Sequence, residues 1–362
     1  MIGLLLSDDG LLFCTMIDLP NLIKWFQSES RELPWRNNPT PYSVWISEVM
    51  LQQTQVAVVI PYYERWMDRF PTIQALAAAS LEDVIKLWEG LGYYSRARHL
   101  HEGAKYIIDH FDGKLPEDAD SLDKIKGIGE YTKGAILSFA FHQRFPAVDG
   151  NVIRVLSRYF MIEDDISKTK TLHQIREIAA QLLPEMEPWV AAEALIELGA
   201  TVCQRKPNCK SCPLKKTCKS FIHGVAEQLP YKSSKTEMKN LYRAVAVLEF
   251  QGSLLVRKVN QGEIMSGLHE FPYFEITKEG IQAVDLLTNV EHRFQLKASV
   301  FKTFPEISHS FTRYNVRLFP FHLICNNASP IKEFKWMSIH DLKKVAFPSG
   351  HRTIFQNVSQ NG

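Results

Sequence analysis

The sequence predicts a chain in two parts: a mainly α-helical N-terminal region, then a smaller α+β domain. Three observations carry this. From Leu19 to about Cys218 apolar residues recur at helical spacing, broken only by short polar connections such as "NNPTP", "FPT", "GKLPED" and "LPEMEP". Residues 222–240, "IHGVAEQLPYKSSKTEMKN", show no apolar period and read as a linker. Beyond them "YRAVAVLEFQGSLLVRKV" reads as two strands around a Gln-Gly-Ser turn, "RYNVRLFPFHLIC" as a further strand and "SIHDLKKVAF" as a helix.

A length of 362 residues allows about two domains, and 45% hydrophobic with 23% charged residues is the balance of a folded, water-exposed chain. A net charge of +2 is too small to name a nucleic-acid partner, so that inference has to come from local clusters. No apolar run is long enough to cross a bilayer, and the greasy N-terminus carries Asp8 and Asp9 with no basic lead, which suits a signal peptide poorly. Residues 1–15 precede the helical pattern and are expected to be a start-site extension. A cytoplasmic location is expected, at the nucleoid if the source is bacterial, with no membrane partner and a monomeric chain.

In the second predicted helix, "SVWISEVMLQQTQV", Glu48 lies between Trp45 and Leu51 on an apolar face. Desolvation there should raise its pKa and let it hold a proton near neutrality. The plainer alternative is a carboxylate at a core edge, reaching water. Gln52, Gln53, Thr54 and Gln55 weigh against it, since four successive hydrogen-bonding side chains suit recognition better than packing.

"DKIKGIGEYTKGAILSFAF" sets Gly127 and Gly129 in a tight turn between helical runs, with Lys124 and Lys126 alongside. Glycines allow close backbone approach, and the next helix turns its positive end outward, a geometry that favours phosphate. The extended pattern resembles the helix-hairpin-helix element that grips a DNA strand by its backbone; a simple interhelical turn is the alternative.

"PAVDGNVIRVLSRYF" places Asp149 where an apolar stretch ends and a basic amphipathic helix begins. Its default role is a helix N-cap. A second role as an anion facing a reaction centre needs support from elsewhere in the chain. Glu193 in "PWVAAEALIELGATVC" shares a helix face with Trp189, Ile196, Ala200 and Cys203, and either contacts a ligand or pairs with a cation.

Four of the six cysteines crowd into "CQRKPNCKSCPLKKTC" as Cys203, Cys209, Cys212 and Cys218, among basic residues and without an acidic one. Such crowding suits a tetrathiolate metal site, and its spacing admits zinc or an iron-sulfur cluster.

Together "LPWR", "PYSVWISEVMLQQTQV", "GLGYYSRARHL", "KGIGEYTKGAI", "DGNVIRVLSR" and the cysteine loop resemble the MutY-type adenine DNA glycosylases, over nearly the whole chain after Met16. The resemblance implies removal of adenine opposite 8-oxoguanine, or guanine, in base-excision repair of double-stranded DNA, with downstream repair proteins taking the product. It implies Glu48 as acid and base, Asp149 as the carboxylate supporting the sugar cation, Asn151 orienting Asp149, and Tyr131 completing the catalytic group. Arg31 and Glu193 would face the extruded adenine. Gln53, Leu91 and Tyr93 would probe or wedge the duplex, with Thr54 beside them, and the four cysteines would hold a [4Fe-4S] cluster. The first cysteine interval is one residue shorter than usual.

Relatives that also cleave the strand form a Schiff base through a lysine after Gly-x-Gly-x, where this chain has Tyr131, so a monofunctional enzyme is expected. Lys133, two residues on, reads as an exposed helix lysine, with a slow adventitious adduct as the alternative. The C-terminal domain resembles the family's Nudix-like lesion-reading domain without its hydrolytic Glu-rich box. Ser308 and His309 in "ISHSF" match the loop that contacts oxidised guanine, with Ile307 where an aromatic is usual and His269 where Trp is usual. Two other readings are a glycosylase for thymine or uracil opposite guanine, and a non-catalytic DNA-binding factor on the same scaffold.

Overall fold

A computed structural model describes residues 17–233, 237–260 and 262–360. The predicted extension over residues 1–15, Cys14 included, lies outside them. Contacts group the chain into two compact units, one running to Ala77 and resuming at Glu102, the other made of Ala78–His101 and the chain beyond the linker. Sequence texture assigned residues 78–101 to the helical region; by contacts they group with the sheet domain.

Twelve helices precede the first strand among the described residues: α1 (Leu19–Glu29), α2 (Pro41–Leu51), α3 (Val56–Arg69), α4 (Ile73–Ala78), α5 (Leu81–Leu87), α6 (Ser95–His110), α7 (Ala119–Leu122), α8 (Glu130–Ala135), α9 (Gly150–Phe160), α10 (Thr169–Leu182), α11 (Pro188–Thr201) and α12 (Lys219–Ile222). Local chemistry starts them. Asp18 caps α1 by accepting from the Asn21 N–H, and Thr40 and Ser43 form a reciprocal capping box on α2. Every residue of α2 from Tyr42 to Met50 is buried, so this helix is core on all sides, and Glu48 lies within it. On α9, Val152, Val155, Leu156 and Tyr159 form one apolar stripe that packs with Leu22 of α1, Ile175 of α10 and Leu195 and Leu198 of α11. In the hairpin Ile125 and Ile128 are buried, Gly127 adopts φ +91°, and Lys124 and Lys126 stay exposed.

The linker is only partly a linker. Ala226 and Leu229 are buried, the Leu229 carbonyl accepts from Arg158 Nε (2.9 Å), and the Tyr231 carbonyl accepts from the Ile166 N–H (3.0 Å). Its first half is therefore fastened to the helical unit by its own carbonyls, a role apolar periodicity does not register.

The second unit is built on a mixed sheet of β1 (Lys239–Phe250), β2 (Ser253–Lys258), β3 (His269–Glu270), β4 (Tyr273–Glu275), β5 (Ala298–Thr303), β6 (Ile307–Phe311), β7 (Tyr314–Cys325) and β8 (Phe334–Ser338). Gln251 and Gly252 close the β1–β2 hairpin, both at positive φ, as a two-residue turn requires. The centre is a parallel pair, β1 beside β7 from Lys239–Tyr314 to Glu249–Ile324, which sequence alone did not indicate. Strand alternation divides the core: Ala244, Ala246 and Leu248 face α13 (Ala283–Phe294), while Val245 and Val247 face α15 (Ser349–Ser359). The predicted "SIHDLKKVAF" helix shrinks to one turn, α14 (Ile339–Leu342); beyond it the Val345 and Ala346 carbonyls and the Phe347 N–H bond to Arg352, His269 and Glu89 in place of a helical ladder. No helix among the described residues is long and apolar enough to cross a membrane.

Candidate active site

Within the helical unit α2, α8, α9 and α11 enclose a cleft of about 710 Å3. Glu48 projects into it from α2 and is only 6% exposed. The Tyr131 hydroxyl, at the start of α8, donates to Glu48 Oε2. Burial drives the Glu48 pKa up, the Tyr131 bond pulls it down, and Asp149 and Glu193 push it up again, leaving it at about 7. The same burial holds the Tyr131 phenol well above its ordinary value, so it stays a donor. Glu48 is thus a carboxyl that exchanges its proton near neutrality.

Asp149 is the N-cap of α9, as its sequence position predicts. Oδ1 accepts from the backbone N–H groups of Asn151 and Val152, both at 2.8 Å, and Oδ2 accepts from Asn151 Nδ2 at 2.6 Å. Burial raises its pKa against the pull of these three donors and Arg154. Arg154 anchors the arrangement: Nη2 donates to Asn151 Oδ1 and to the Gly199 carbonyl (2.7 Å each), and Nε to the Cys203 carbonyl (2.7 Å). Asp149 can therefore turn neither from the cleft nor from the helix end.

A ladder of alternating charges lines one side. Glu197, with no exposed side-chain surface, accepts from Arg31 Nε (2.6 Å) and Nη2 (3.0 Å) and from Arg36 Nη2 (3.0 Å). Arg36 Nε reaches Glu193 at 2.9 Å. Burial alone would raise Glu197, but the two arginines outweigh it and hold its pKa below the carboxylate range. Of the two alternatives raised for Glu193, the pairing with a cation is present, to Arg36, and the side chain also lines the cleft.

The cleft gathers Glu48, Tyr131, Asp149, Asn151, Arg31, Glu193, Gln53 and Thr54 from the sequence-derived set. Gln53 is exposed at φ +59°. Lys126, Gly127 and Gly129 form the hairpin of the same unit and do not line the cleft; Lys126 meets Glu102 at 2.5 Å. Gly127 supplies the positive φ, whereas Gly129 is extended at φ −99° and caps α8. Leu91, Tyr93, Ser308 and His309 belong to the other unit. On β6 alternation exposes Ser308 and turns His309 inward against Gly350, so the two point to opposite faces.

Lys133 corrects an expectation. It is buried, with Nζ 2.9 Å from both Asp123 and Glu130. Burial pulls the ammonium down, but the two carboxylates outweigh it and raise its pKa. A charged, doubly paired amine is no nucleophile.

Cys203, Cys209, Cys212 and Cys218 surround one small void of about 20 Å3, with Arg158 Nη1 3.3 Å from Cys203 Sγ. Among the described residues no three His, Cys, Asp or Glu side chains close to the spacing of a single bound ion. Burial first, then the neighbouring sulfurs, raises the Cys209 and Cys218 thiols and pushes Cys212 to about 12. An all-thiol set that is not drawn in to the spacing of one ion fits the donor set of an iron-sulfur cluster, whose positive core would offset the repulsion between the thiolates.

Sequence reasoning missed Arg36, Arg154 and Glu197. A signal existed: Glu197 lies four residues after Glu193 on an otherwise apolar helix, and Arg154 three after Asn151. It also missed the packing at Gly199, where an added Cβ would lie 2.6 Å from Asn151 Cβ and 2.9 Å from Asn151 O. Gly199→Ala is expected to destabilise the protein by about 1–3 kcal/mol through overpacking. It should also slow the reaction by displacing Asn151, with urea midpoint and single-turnover rate as the two measurements.

Residues 46–181 match the HhH-GPD superfamily of base excision DNA repair proteins, and residues 243–357 match the NUDIX domain. The helical unit is similar to an endonuclease III trapped as a covalent intermediate with DNA, with a TM-score of 0.50 and 26% identity, covering 57% of this chain and 95% of that one. An adenine DNA glycosylase of Rattus norvegicus is 34% identical, covering 93% of this chain and 77% of the relative. One of Buchnera aphidicola subsp. Baizongia pistaciae is 32% identical, covering 96% and 98%. Aligned through both domains with relatives of that name, the chain belongs to the adenine DNA glycosylase family.

Proposed function

We propose that the chain hydrolyses the N-glycosidic bond of adenine mispaired with 8-oxoguanine or guanine in double-stranded DNA, without cleaving the strand. The observation that carries this is the pair of carboxylates, Glu48 and Asp149, set in one cleft by separate helices with different partners. Breaking the bond leaves negative charge on the base and positive charge on the sugar, so it needs an acid on one side and an anion on the other. Glu48 gives its proton to the departing adenine, and Asp149 stabilises the oxocarbenium-like sugar. Water then adds to the anomeric carbon and returns a proton to Glu48, the division of labour seen in glycoside hydrolysis. Tyr131 holds Glu48 in register, and the ladder of Arg31, Arg36 and Glu193 offers donors and acceptors to the edge of the extruded base.

The hairpin at Lys126, Gly127 and Gly129 suits a DNA phosphate; exposed Gln53 in the same unit and, taken by itself, exposed Tyr93 of the other unit suit an interrupted stack, whereas Leu91 is buried and holds the turn from within. Cys203, Cys209, Cys212 and Cys218 would hold a [4Fe-4S] cluster, which braces the basic loop around Arg205, Lys210 and Lys215. Iron with broad visible absorption in the purified protein supports that centre; a colourless protein with stoichiometric zinc excludes it.

Single-turnover assays on duplexes with adenine opposite 8-oxoguanine, adenine opposite guanine, and thymine opposite guanine test the reading. Release of adenine alone is expected, with strand breaks only after alkali. Thymine release, binding without release, or borohydride trapping at the rate of base loss would each overturn it.

A further inference from the structure

The segment Trp88–Tyr94, between α5 and α6, is tightly built. Gly90, Gly92 and Tyr93 all have positive φ, at 108°, 70° and 48°. Trp88 Nε1 donates to the Gly92 carbonyl (3.0 Å), and Arg96 Nη2 donates to the carbonyls of Leu91 (3.1 Å) and Gly92 (3.2 Å). The Arg96 guanidinium lies over the rings of Trp88 and Tyr93. A tyrosine at positive φ persists only where its surroundings over-determine it. The outcome is an aromatic side chain, 44% exposed, presented from a rigid turn.

The turn is fastened to the sheet domain through Glu89. Its carboxylate accepts from the Phe347 N–H (2.7 Å) and from Arg352 Nε (2.7 Å) and Nη2 (2.6 Å), with the two side chains only 14% and 17% exposed. Arg352 Nη2 also donates to the Val345 carbonyl (2.7 Å), and Lys86 Nζ bridges Glu89 (2.8 Å) and that carbonyl (2.9 Å). Paired, half-closed Arg–carboxylate bonds of this kind set orientation as well as strength. Arg352 lies on α15, whose Gly350 meets His309 of β6 so closely that a Cβ there would fall 2.7 Å from the imidazole.

We propose that Glu89 is a positioning residue: clamped by Arg352 and the Phe347 backbone, it holds the Leu91–Tyr93 turn in the orientation that opens the DNA stack. Duplex opening then depends on the C-terminal domain even though none of the cleft residues comes from it. This rests on the duplex reading proposed above.

The test uses the full chain with Glu89→Gln, Arg352→Met, their combination, and Tyr93→Leu. Two readouts are needed: release from a fully paired duplex against release from a bubble whose adenine is already unstacked, and fluorescence of 2-aminopurine placed beside the mispair. Each single variant should lose about tenfold on the paired duplex, the scale of a misplaced positioning group, while the bubble rate stays within about twofold. The fluorescence rise should fade in all variants, and the double variant should be no worse than the poorer single one. Equal slowing on both substrates, or a wild-type fluorescence rise in the Glu89 and Arg352 variants, overturns the proposal. If the wild-type protein releases adenine from neither substrate, the functional reading fails, and the fluorescence alone still decides the role of the turn.

Discussion

Glu48→Gln is expected to slow adenine release by about 10²–10⁴-fold, the range that a single general acid supplies. Affinity for the mispaired duplex should change little, because Gln keeps the size of the side chain and an oxygen for the Tyr131 hydroxyl. The wild-type pH profile sets the sign. Glu48 must be protonated to act as acid, and with a pKa of about 7 its acid form declines as pH rises through that value. Single-turnover release should therefore fall by about tenfold per pH unit on the alkaline side. On the acid side Asp149 must be ionised, and since burial raises its pKa, the rate should decline above the ordinary carboxylate range as pH drops. The two limbs belong to the pair of carboxylates, not to either one singly. Glu48→Gln should remove the alkaline limb from whatever activity remains. A variant that kept both rate and limb would show that the proton comes from elsewhere.

Glu197→Gln is expected to cost stability as well as activity. The carboxylate is completely closed from solvent and is shared by Arg31 and Arg36, so neutralising it strips two cations of a common partner. Breaking a buried pair typically costs about 3–5 kcal/mol. Arg31 retains access to water, with 36% of its side chain exposed, so about 2–3 kcal/mol is expected here. The check is a lower urea midpoint at unchanged slope. Because the folded carboxyl titrates below its ordinary value, this stability is present above that value and lost as pH falls through the folded pKa. Stability equal to wild type at neutral pH would mean that the arginines find other partners.

Much of the site was legible in the sequence because its chemistry is local. Asp149 caps the helix it precedes, so one turn of chain places both the carboxylate and Asn151. Glu48 announces itself as a lone acid on a helix that is otherwise core. The ladder was harder to read because it is tertiary: Arg31 and Glu197 are 166 residues apart, and only the packing of α1 against α11 brings them into reach. Lys133 was misread for the same reason, since its ring of carboxylates comes partly from Asp123, across the hairpin. In the second domain the hairpin was plain from Gln251 and Gly252, but the central parallel pair joins residues 75 positions apart, as Lys239 and Tyr314 are, and no turn marks such a pairing. The one-turn α14 shows the opposite limit, a helical pattern cut short because the backbone beyond it bonds to distant partners.

Arg154 has a consequence for how the protein tolerates change. One guanidinium spans the Asn151 amide, the Gly199 backbone and the Cys203 backbone. The thiol loop and the Asp149 end of α9 are in effect two ends of a single strut. A lesion in either end would tilt the other, so under the function proposed above damage to the loop is expected to surface as a loss of aim at the anomeric carbon, with no electron having moved.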